Sequence, residues 1–140
     1  MYIKSFLKFS ILFFLTTLLL AGCGTTKKID EENSQKLDFT VVKEIDYPEE
    51  LSKLLESKKK DIFKFTYSDG ENLYLCVGYG TKDSGGFSIV VDHLLQTDSG
   101  IHMKTTLKGP ESDDESSSAI TYPCIVIKTE FIDEPVMFET

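Results

Sequence analysis

Residues 62–79 read IFKFTYSDGENLYLCVGY, and this stretch decides the fold. Its first half places Phe63, Phe65 and Tyr67 at alternate positions, which is the period of a strand that buries one face. The next residues, SDGE at 68–71, contain an Asp-Gly pair that tolerates the positive φ angles of a hairpin turn. The second half, from Leu73 to Tyr79, is apolar on both faces, which is typical of a central strand covered on two sides. The stretch therefore predicts a β-hairpin inside a strand-dominated fold.

The chain before this hairpin predicts one strand and the single convincing helix. Residues 39–45 read as a first strand. Asp46 is then an N-cap candidate, Pro48 lies near the first helical position, and carboxylates fill the first turn. Leucines at 51, 54 and 55 form one apolar stripe, and lysines at 58–60 suit the C-terminal end of a helix. We expect the helix to run from about Pro48 to Lys59.

The chain after the hairpin predicts further strands. Residues 87–95 place Phe87, Ile89, Val91 and His93 on one face, and residues 101–108 alternate as a half-exposed strand. An acidic loop at 111–118 follows. Residues 119–129 are expected to form a last long strand that Pro123 interrupts, and residues 136–138 a short edge strand. The prediction is one α+β domain, dominated by mostly antiparallel strands, with one N-terminal helix.

The N-terminal residues predict export and a lipid anchor. Lys4 and Lys8 precede an apolar run from 9 to 20, which is long enough for a secretory signal and short for a membrane span. The run ends on Leu20-Ala21-Gly22-Cys23, which resembles the lipobox of bacterial lipoproteins. We expect residues 1–22 to be a signal peptide cleaved before Cys23, and this cysteine to carry lipid; the alternative is an uncleaved helix with an incidental cysteine. Cys23 would then hold the protein at the extracytoplasmic face of the cell membrane, because two acyl chains give stable attachment.

Composition sets the domain boundary and limits the partners. Residues 23–37 are polar and are predicted to be the lipidated cysteine and a flexible tether, and residues 38–140 the globular domain. The chain has a formal net charge of −8, which becomes −10 once Lys4 and Lys8 leave with the signal peptide. Such a surface repels phosphate backbones, so nucleic acid is not expected as a partner.

No set of side chains in the sequence predicts an enzyme or a metal site. Cys76 and Cys124 lie in apolar strand sequence and are interpreted as buried, reduced packing residues; a disulfide between them is the alternative. His93 and His102 stand apart, and the acidic run Asp113-Asp114-Glu115 lacks the ligand spacing of a calcium loop. We therefore expect no catalytic residue, no cofactor and no metal.

One resemblance covers about half of the chain after Cys23, from Leu73 to Ile127. It rests on Ser84-Gly85-Gly86-Phe87 followed by Ser88-Ile89, on Gly109-Pro110, and on residues 119–127, AITYPCIVI. These motifs are similar to the C-terminal domain of the protease complex subunit PrcB. Ser84, Phe87 and Cys124 depart from its usual threonine and two tyrosines, and the tyrosine here precedes the proline, at Tyr122.

The resemblance implies a non-catalytic, lipid-anchored module that docks on an exported protease or another surface protein. Ser84, Gly85, Gly86 and Phe87 are the candidate binding residues, together with the neighbouring acidic loop. The structural alternative is that both glycines allow a tight turn with positive φ and that Phe87 begins a buried strand face. For the function, the alternative is a small-ligand-binding lipoprotein.

Overall fold

The computed structural model describes residues 33–111 and 118–140, which form two four-stranded sheets and one α-helix. Residues 1–32 and 112–117, with the predicted signal peptide, Cys23 and most of the acidic loop, lie outside the described residues. The elements are β1 (Gln35–Lys36), β2 (Thr40–Val41), α1 (Glu49–Lys58), β3 (Ile62–Ser68), β4 (Asn72–Tyr79), β5 (Ser88–Thr97), β6 (Gly100–Lys108), β7 (Cys124–Glu130) and β8 (Val136–Glu139).

The first sheet has the strand order β1-β5-β6-β8 and the second β2-β7-β4-β3. Every strand pair is antiparallel except β6 and β8, which run parallel. The predicted α+β class, with mostly antiparallel strands and one helix, is therefore confirmed. No helix in the described ranges is long and apolar enough to cross a membrane.

The hairpin of residues 62–79 forms as predicted, with β4 between β3 and β7. The two apolar faces of β4 explain the layering of the domain. Leu73, Leu75 and Val77 belong to the core cluster that also contains Leu94, Ile101 and Met103 of the first sheet. Tyr74 and Cys76 on the opposite face belong to a second cluster with α1. The central strand thus joins the core between the sheets to the core beneath the helix.

The helix α1 covers the outer face of the second sheet. It occupies Glu49–Lys58, close to the predicted span from Pro48 to Lys59. Leu51 and Leu55 are buried, whereas the side chains of the next turn face outward. Leu51 and Leu55 share a cluster with Phe63 of β3. Tyr67 of the same strand donates a hydrogen bond of 3.2 Å to Glu50 of the helix. A stripe of two leucines is therefore what attaches α1 to the sheet.

One face assignment in β5 is wrong, because the strand contains a β-bulge. Val91 pairs with Thr105, but His93 pairs with Lys104, so Asp92 is the extra residue. The bulge reverses the order of faces, so the buried Leu94 rather than His93 lies on the same face as the partly buried Val91. His93 lies on the opposite face, beside Lys104.

The ends of three predicted segments also change. The first strand is reduced to β2, and residues 44–46 form a 3-10 turn instead. The last long strand begins only after Pro123, because residues 119–123 contribute a single bridge, between Thr121 and Lys82. The end of the predicted tether belongs to the fold: β1 pairs with β5, and Leu37 is buried in the core between the sheets. Burial of Leu37 explains why Gln35 and Lys36, the two polar residues before it, pair with β5.

Candidate functional site

A surface groove beside α1 is the candidate site, and it is called the helix-side groove below. It has a volume of about 250 Å³ and lies where the 3-10 turn, one side of α1 and the start of β7 meet. It is lined by Glu44, Tyr47, Ser52, Leu55, Glu56, Lys59, Tyr122 and Cys124. Residues 44–47 and 52–59 are close in sequence, whereas residues 122–124 are far from both and join them only in the folded domain.

Backbone pairing explains how Tyr122 and Cys124 reach the groove. Thr121 forms a two-way bridge with Lys82, with N–H to O distances of 2.9 and 3.0 Å. The carbonyl oxygen of Pro123 accepts a hydrogen bond of 2.9 Å from the N–H of Tyr79, at the end of β4. Since Pro123 has no N–H of its own, its backbone can bond to the sheet only through its carbonyl. The segment 121–124 is thus fixed on both sides of Tyr122.

Two isoleucines next to the groove are unusually exposed. Ile45 lies in the 3-10 turn between the lining residues Glu44 and Tyr47 and is 90% exposed. Ile120 lies two residues before Tyr122 and is 61% exposed. Singly exposed apolar residues are common, but two beside one groove of mixed polar and apolar lining mark an interaction site more strongly than either alone.

The reactive groups in the groove are kept protonated. Burial raises the pKa of the Tyr47 phenol to about 12, with smaller contributions from Cys124, Cys76 and Glu44. Burial also raises the pKa of the Cys124 thiol, and the carboxylate of Glu44 adds to the effect. Because the thiolate is the nucleophilic form of cysteine, a raised pKa makes Cys124 a poor nucleophile at neutral pH. The groove is therefore suited to contact rather than to covalent chemistry.

The charged side of the groove is formed by Lys59, Glu56 and Glu44. Lys59 and Glu56 form an ion pair, and the hydrogen bond that Lys59 donates to Glu56 is the main reason that the pKa of Lys59 is raised. The ammonium of Lys59 also lies 5.5 Å from the centre of the Tyr122 ring, a cation–π contact. Lys59 is therefore engaged by two neighbours, while the carboxylate of Glu44 has no ion pair among the described residues.

The two cysteines of the domain differ more than predicted. Both are free; Cys76 is fully buried, whereas Cys124 is exposed as a residue and is not in the core, although the walls of the groove partly desolvate its thiol. Cys76 pairs with Val126 and Cys124 with Gly78, so the thiols are diagonal neighbours on the helix side of the sheet. Diagonal positions lie about 7–8 Å apart, against about 4 Å between the Cβ atoms of a disulfide. The pattern of apolar neighbours missed the exposure of Cys124 because that residue is the first of its strand.

The candidate residues Ser84, Gly85, Gly86 and Phe87 form the loop that leads into β5. The carbonyl oxygen of Ser84 accepts a hydrogen bond of 2.6 Å from the Thr121 hydroxyl, and Phe87 is half-buried. Gly86 has a φ of 83°, as the turn interpretation requires, but Gly85 has no positive φ and is buried instead. The loop therefore lies next to the helix-side groove through Thr121 and supports the segment that carries Tyr122.

A second set of polar residues, remote in sequence, meets at the outer side of the first sheet. His102 Nε2 lies 3.0 Å from the hydroxyl of Ser99, and His102 Nδ1 lies 3.7 Å from Glu139. The order of residue types is that of a hydrolytic triad, but 3.7 Å is too long for a hydrogen bond, and Nδ1 has no hydrogen-bond partner. The bond that orients the histidine in such a triad is therefore not formed here. Within residues 33–111 and 118–140, no three His, Cys, Asp or Glu side chains are placed to share a metal ion.

Comparison with known proteins gives one match. Residues 73–130 match the family model described as PrcB C-terminal. No curated protein and no solved structure matches the chain. The resemblance read from residues 73–127 is thereby confirmed, and its matched segment runs from β4 to the end of β7. It includes the candidate loop and both Tyr122 and Cys124 of the groove, but not α1 or the 3-10 turn.

Proposed function

Because residues 73–130 match the family model of the PrcB C-terminal domain, we propose that this chain is a non-catalytic, lipid-anchored subunit that docks on an exported protease. The observation that carries the proposal is the helix-side groove with Ile45 and Ile120 beside it. Burying these two side chains against a partner would remove from water the most exposed apolar residues near the groove. Each fully buried isoleucine contributes about 1.5–3 kcal/mol, which is a substantial part of a specific interface.

The groove also indicates the chemistry of the partner segment. Its lining includes Leu55, Tyr47 and Tyr122, which favour an apolar side chain. The carboxylate of Glu44 helps to raise the pKa of Lys59 but forms no ion pair among the described residues, whereas Lys59 is paired with Glu56. The segment that fits is therefore an apolar residue with a lysine or arginine beside it. A strongly acidic domain would also be attracted to a basic surface over longer distances.

The non-catalytic part of the proposal is supported by the state of the polar groups. The thiol of Cys124 and the phenol of Tyr47 are held in their protonated forms. The Ser99–His102–Glu139 arrangement lacks the hydrogen bond that would orient the histidine. As for a small metabolite, the helix-side groove of about 250 Å³ is below the usual size of ligand pockets, about 300–1,000 Å³. A second pocket of about 380 Å³, among Gln35, Asp98 and Glu134, has the size but is lined by polar residues throughout, whereas ligand pockets are mostly apolar.

The anchor is proposed on Leu20-Ala21-Gly22-Cys23. Diacylglyceryl on Cys23 would place the domain within a short tether length of the membrane, where an exported protease can be retained. Replacing Cys23 with alanine should release the protein from membranes and remove the lipid-modified N-terminal peptide from its mass spectrum. A membrane-bound protein with an unmodified Cys23 peptide would contradict the anchor.

The docking surface is tested by photo-crosslinking on intact cells. A photoreactive amino acid replaces Ile45 in one variant and Val90, an exposed residue of β5 outside the groove, in the control. We expect the variant at position 45 to crosslink to one exported protease and the control to give no such product. Glu44→Lys in the position-45 variant should reduce the yield. Equal crosslinking from both positions, or none from position 45, would overturn the assignment.

A further inference from the structure

Among the outermost strands in the described part of the chain, β3 is the longest; β5 also has unpaired residues beyond β1, but a bulge interrupts that stretch. β1 and β2 have two residues each and β8 has four, whereas β3 has seven. Every residue of β3 is paired with β4 in unbroken register from Ile62 to Ser68. Proteins usually shorten, bend or cover an edge strand, because its free backbone groups can pair with another chain. β3 is long and regular, and Lys64 in its middle is its only charged side chain.

Hydrogen bonding in the hairpin shows which backbone groups of β3 point outward. The N–H of Asp69 donates to the carbonyl of Asn72 at 3.3 Å, and bonded pairs alternate along an antiparallel ladder. Phe63, Phe65 and Tyr67 therefore bond to β4. The other end of the hairpin agrees with this pattern. Tyr79 lies opposite Ile62, and its N–H donates to Pro123, on the side of β4 away from β3, so Tyr79 and Ile62 are not a bonded pair. The N–H and C=O groups of Ile62, Lys64 and Thr66 consequently face away from the sheet.

The side chains of the same residues are also exposed. Ile62 is 74% exposed, and Lys64 and Thr66 are exposed as well. Lys64 forms no ion pair among the described residues. On the other face of β3, Phe65 and Tyr67 are only partly buried. A strand added at this edge would meet an unpaired cation on one face and aromatic rings on the other.

We propose that β3 binds an extended segment of a partner polypeptide, which adds as a fifth strand to the second sheet. The segment carries apolar residues at alternate positions, against Phe65 and Tyr67, and a carboxylate opposite Lys64. Strand addition supplies affinity through backbone hydrogen bonds and selectivity through such alternate side chains. This contact rests on the proposed docking function but uses a surface separate from the helix-side groove.

The test uses the full chain, purified in detergent, and a capped heptapeptide, Val-Thr-Val-Glu-Val-Thr-Val. Its sequence reads the same in both directions, so the orientation of the added strand need not be known. Amide resonances of Lys64 and Thr66 should shift on titration and exchange more slowly with solvent. The same peptide with a central lysine should bind more weakly, and Lys64→Glu should reverse this preference. An absence of shifts at Lys64 and Thr66 would overturn the proposal.

Proline separates backbone pairing from side-chain contact. Thr66→Pro removes an outward N–H that the hairpin does not use, so the fold should persist. It should weaken peptide binding about tenfold, equivalent to ~1.4 kcal/mol, as loss of one backbone hydrogen bond does. Thr66→Val keeps the N–H and should bind like the wild type. Phe65→Pro removes an N–H that bonds to β4 and should destabilise the fold.

Two outcomes would contradict strand addition specifically. Equal peptide binding by Thr66→Pro and Thr66→Val would exclude pairing through the β3 backbone. A concentration-dependent dimer of the wild type that Thr66→Pro abolishes would assign the edge to a second copy of this chain. Crosslinking from position 45 on cells is independent of both results. Its persistence in Thr66→Pro would leave the docking function standing while strand addition failed.

Discussion

Asp69 holds the turn of the central hairpin with a single carboxylate. Its oxygens accept hydrogen bonds from the N–H groups of Asn72 at 2.7 Å and Glu71 at 3.0 Å, and from the Tyr74 hydroxyl at 3.0 Å. The bond from the Asn72 backbone is the main reason that the pKa of Asp69 falls from 3.8 to about 2. The hydrogen bonds of the folded protein therefore stabilise the charged form of the Asp69 carboxylate.

The sign of the resulting pH dependence follows from this lowered pKa. The stabilisation is complete above the ordinary pKa of 3.8 and is lost as the pH falls through about 2. Asp69→Ala should lower the melting temperature at pH 7, and its melting temperature should fall less than that of the wild type between pH 4 and pH 2. Asp61→Ala, an exposed aspartate outside the turn, should keep the wild-type profile. An unchanged acid profile in Asp69→Ala would contradict the role of this carboxylate.

The two thiols of the domain should differ in reactivity. Cys124 is exposed, so iodoacetamide should reach it in the native protein, but its raised pKa should make the reaction slow at pH 7 and faster with rising pH. Burial raises the pKa of Cys76 to about 12, and this thiol should react only in denaturant. Neither should require a reductant. Labelling of both thiols in the native protein, or of neither in denaturant without reductant, would contradict the structure.

The attachment of α1 should depend on one leucine. Leu51 is completely buried between the helix and the second sheet, and Lys53 two residues later is exposed. Leu51→Ala should lower the free energy of unfolding by about 2–5 kcal/mol, the range for a buried leucine that leaves a cavity. Lys53→Ala is the control on the same helix and should cost well under 1 kcal/mol, about the value of an exposed ion pair. Denaturant unfolding followed by circular dichroism measures both.

Elements whose pattern is local were predictable from the sequence. The hairpin of 62–79 needs only alternation and an Asp-Gly turn, and α1 needs only its leucine stripe and flanking charges. The bulge at Asp92 was not predictable, because Val90, Val91, Leu94 and Leu95 are apolar at both parities and fit either register. Residues 119–123 alternate like a strand, yet Pro123 and the bridge at Thr121 leave them outside the ladder.

The candidate site was less predictable from the sequence than the secondary structure. Ser84 to Phe87 were recognisable as a motif, and the structure places them beside the groove through Thr121. The groove itself combines residues 44–47, 52–59 and 122–124, which no spacing rule connects. One signal in the sequence pointed to the groove: Ile45 is an apolar residue between the acidic residues Glu44 and Asp46, just before the helix. Because Ile45 fits neither the leucine stripe of the helix nor a strand pattern, its exposure could have been predicted.

At the scale of the whole molecule, the proposed protein consists of an anchor, a short tether and a docking domain. Leu37 in the core means that the tether ends earlier than residue 37, because β1 already pairs with β5. The domain is acidic and carries no arginine, so lipid on Cys23 rather than a basic surface would hold it at the membrane. On this arrangement the helix-side groove and the β3 edge are two contacts available to one partner.

The central claim, docking on an exported protease, is tested most directly by purification from detergent-solubilised membranes. The proteins compared are the wild type, the double variant Ile45→Glu/Ile120→Glu, and Val90→Glu as a control that also places a glutamate at an exposed apolar position, outside the groove. We expect an exported protease to copurify with the wild type and with Val90→Glu but not with the double variant, and we expect the double variant to keep the melting temperature of the wild type. A wild-type protein that purifies alone, or a double variant that retains the protease, would contradict it.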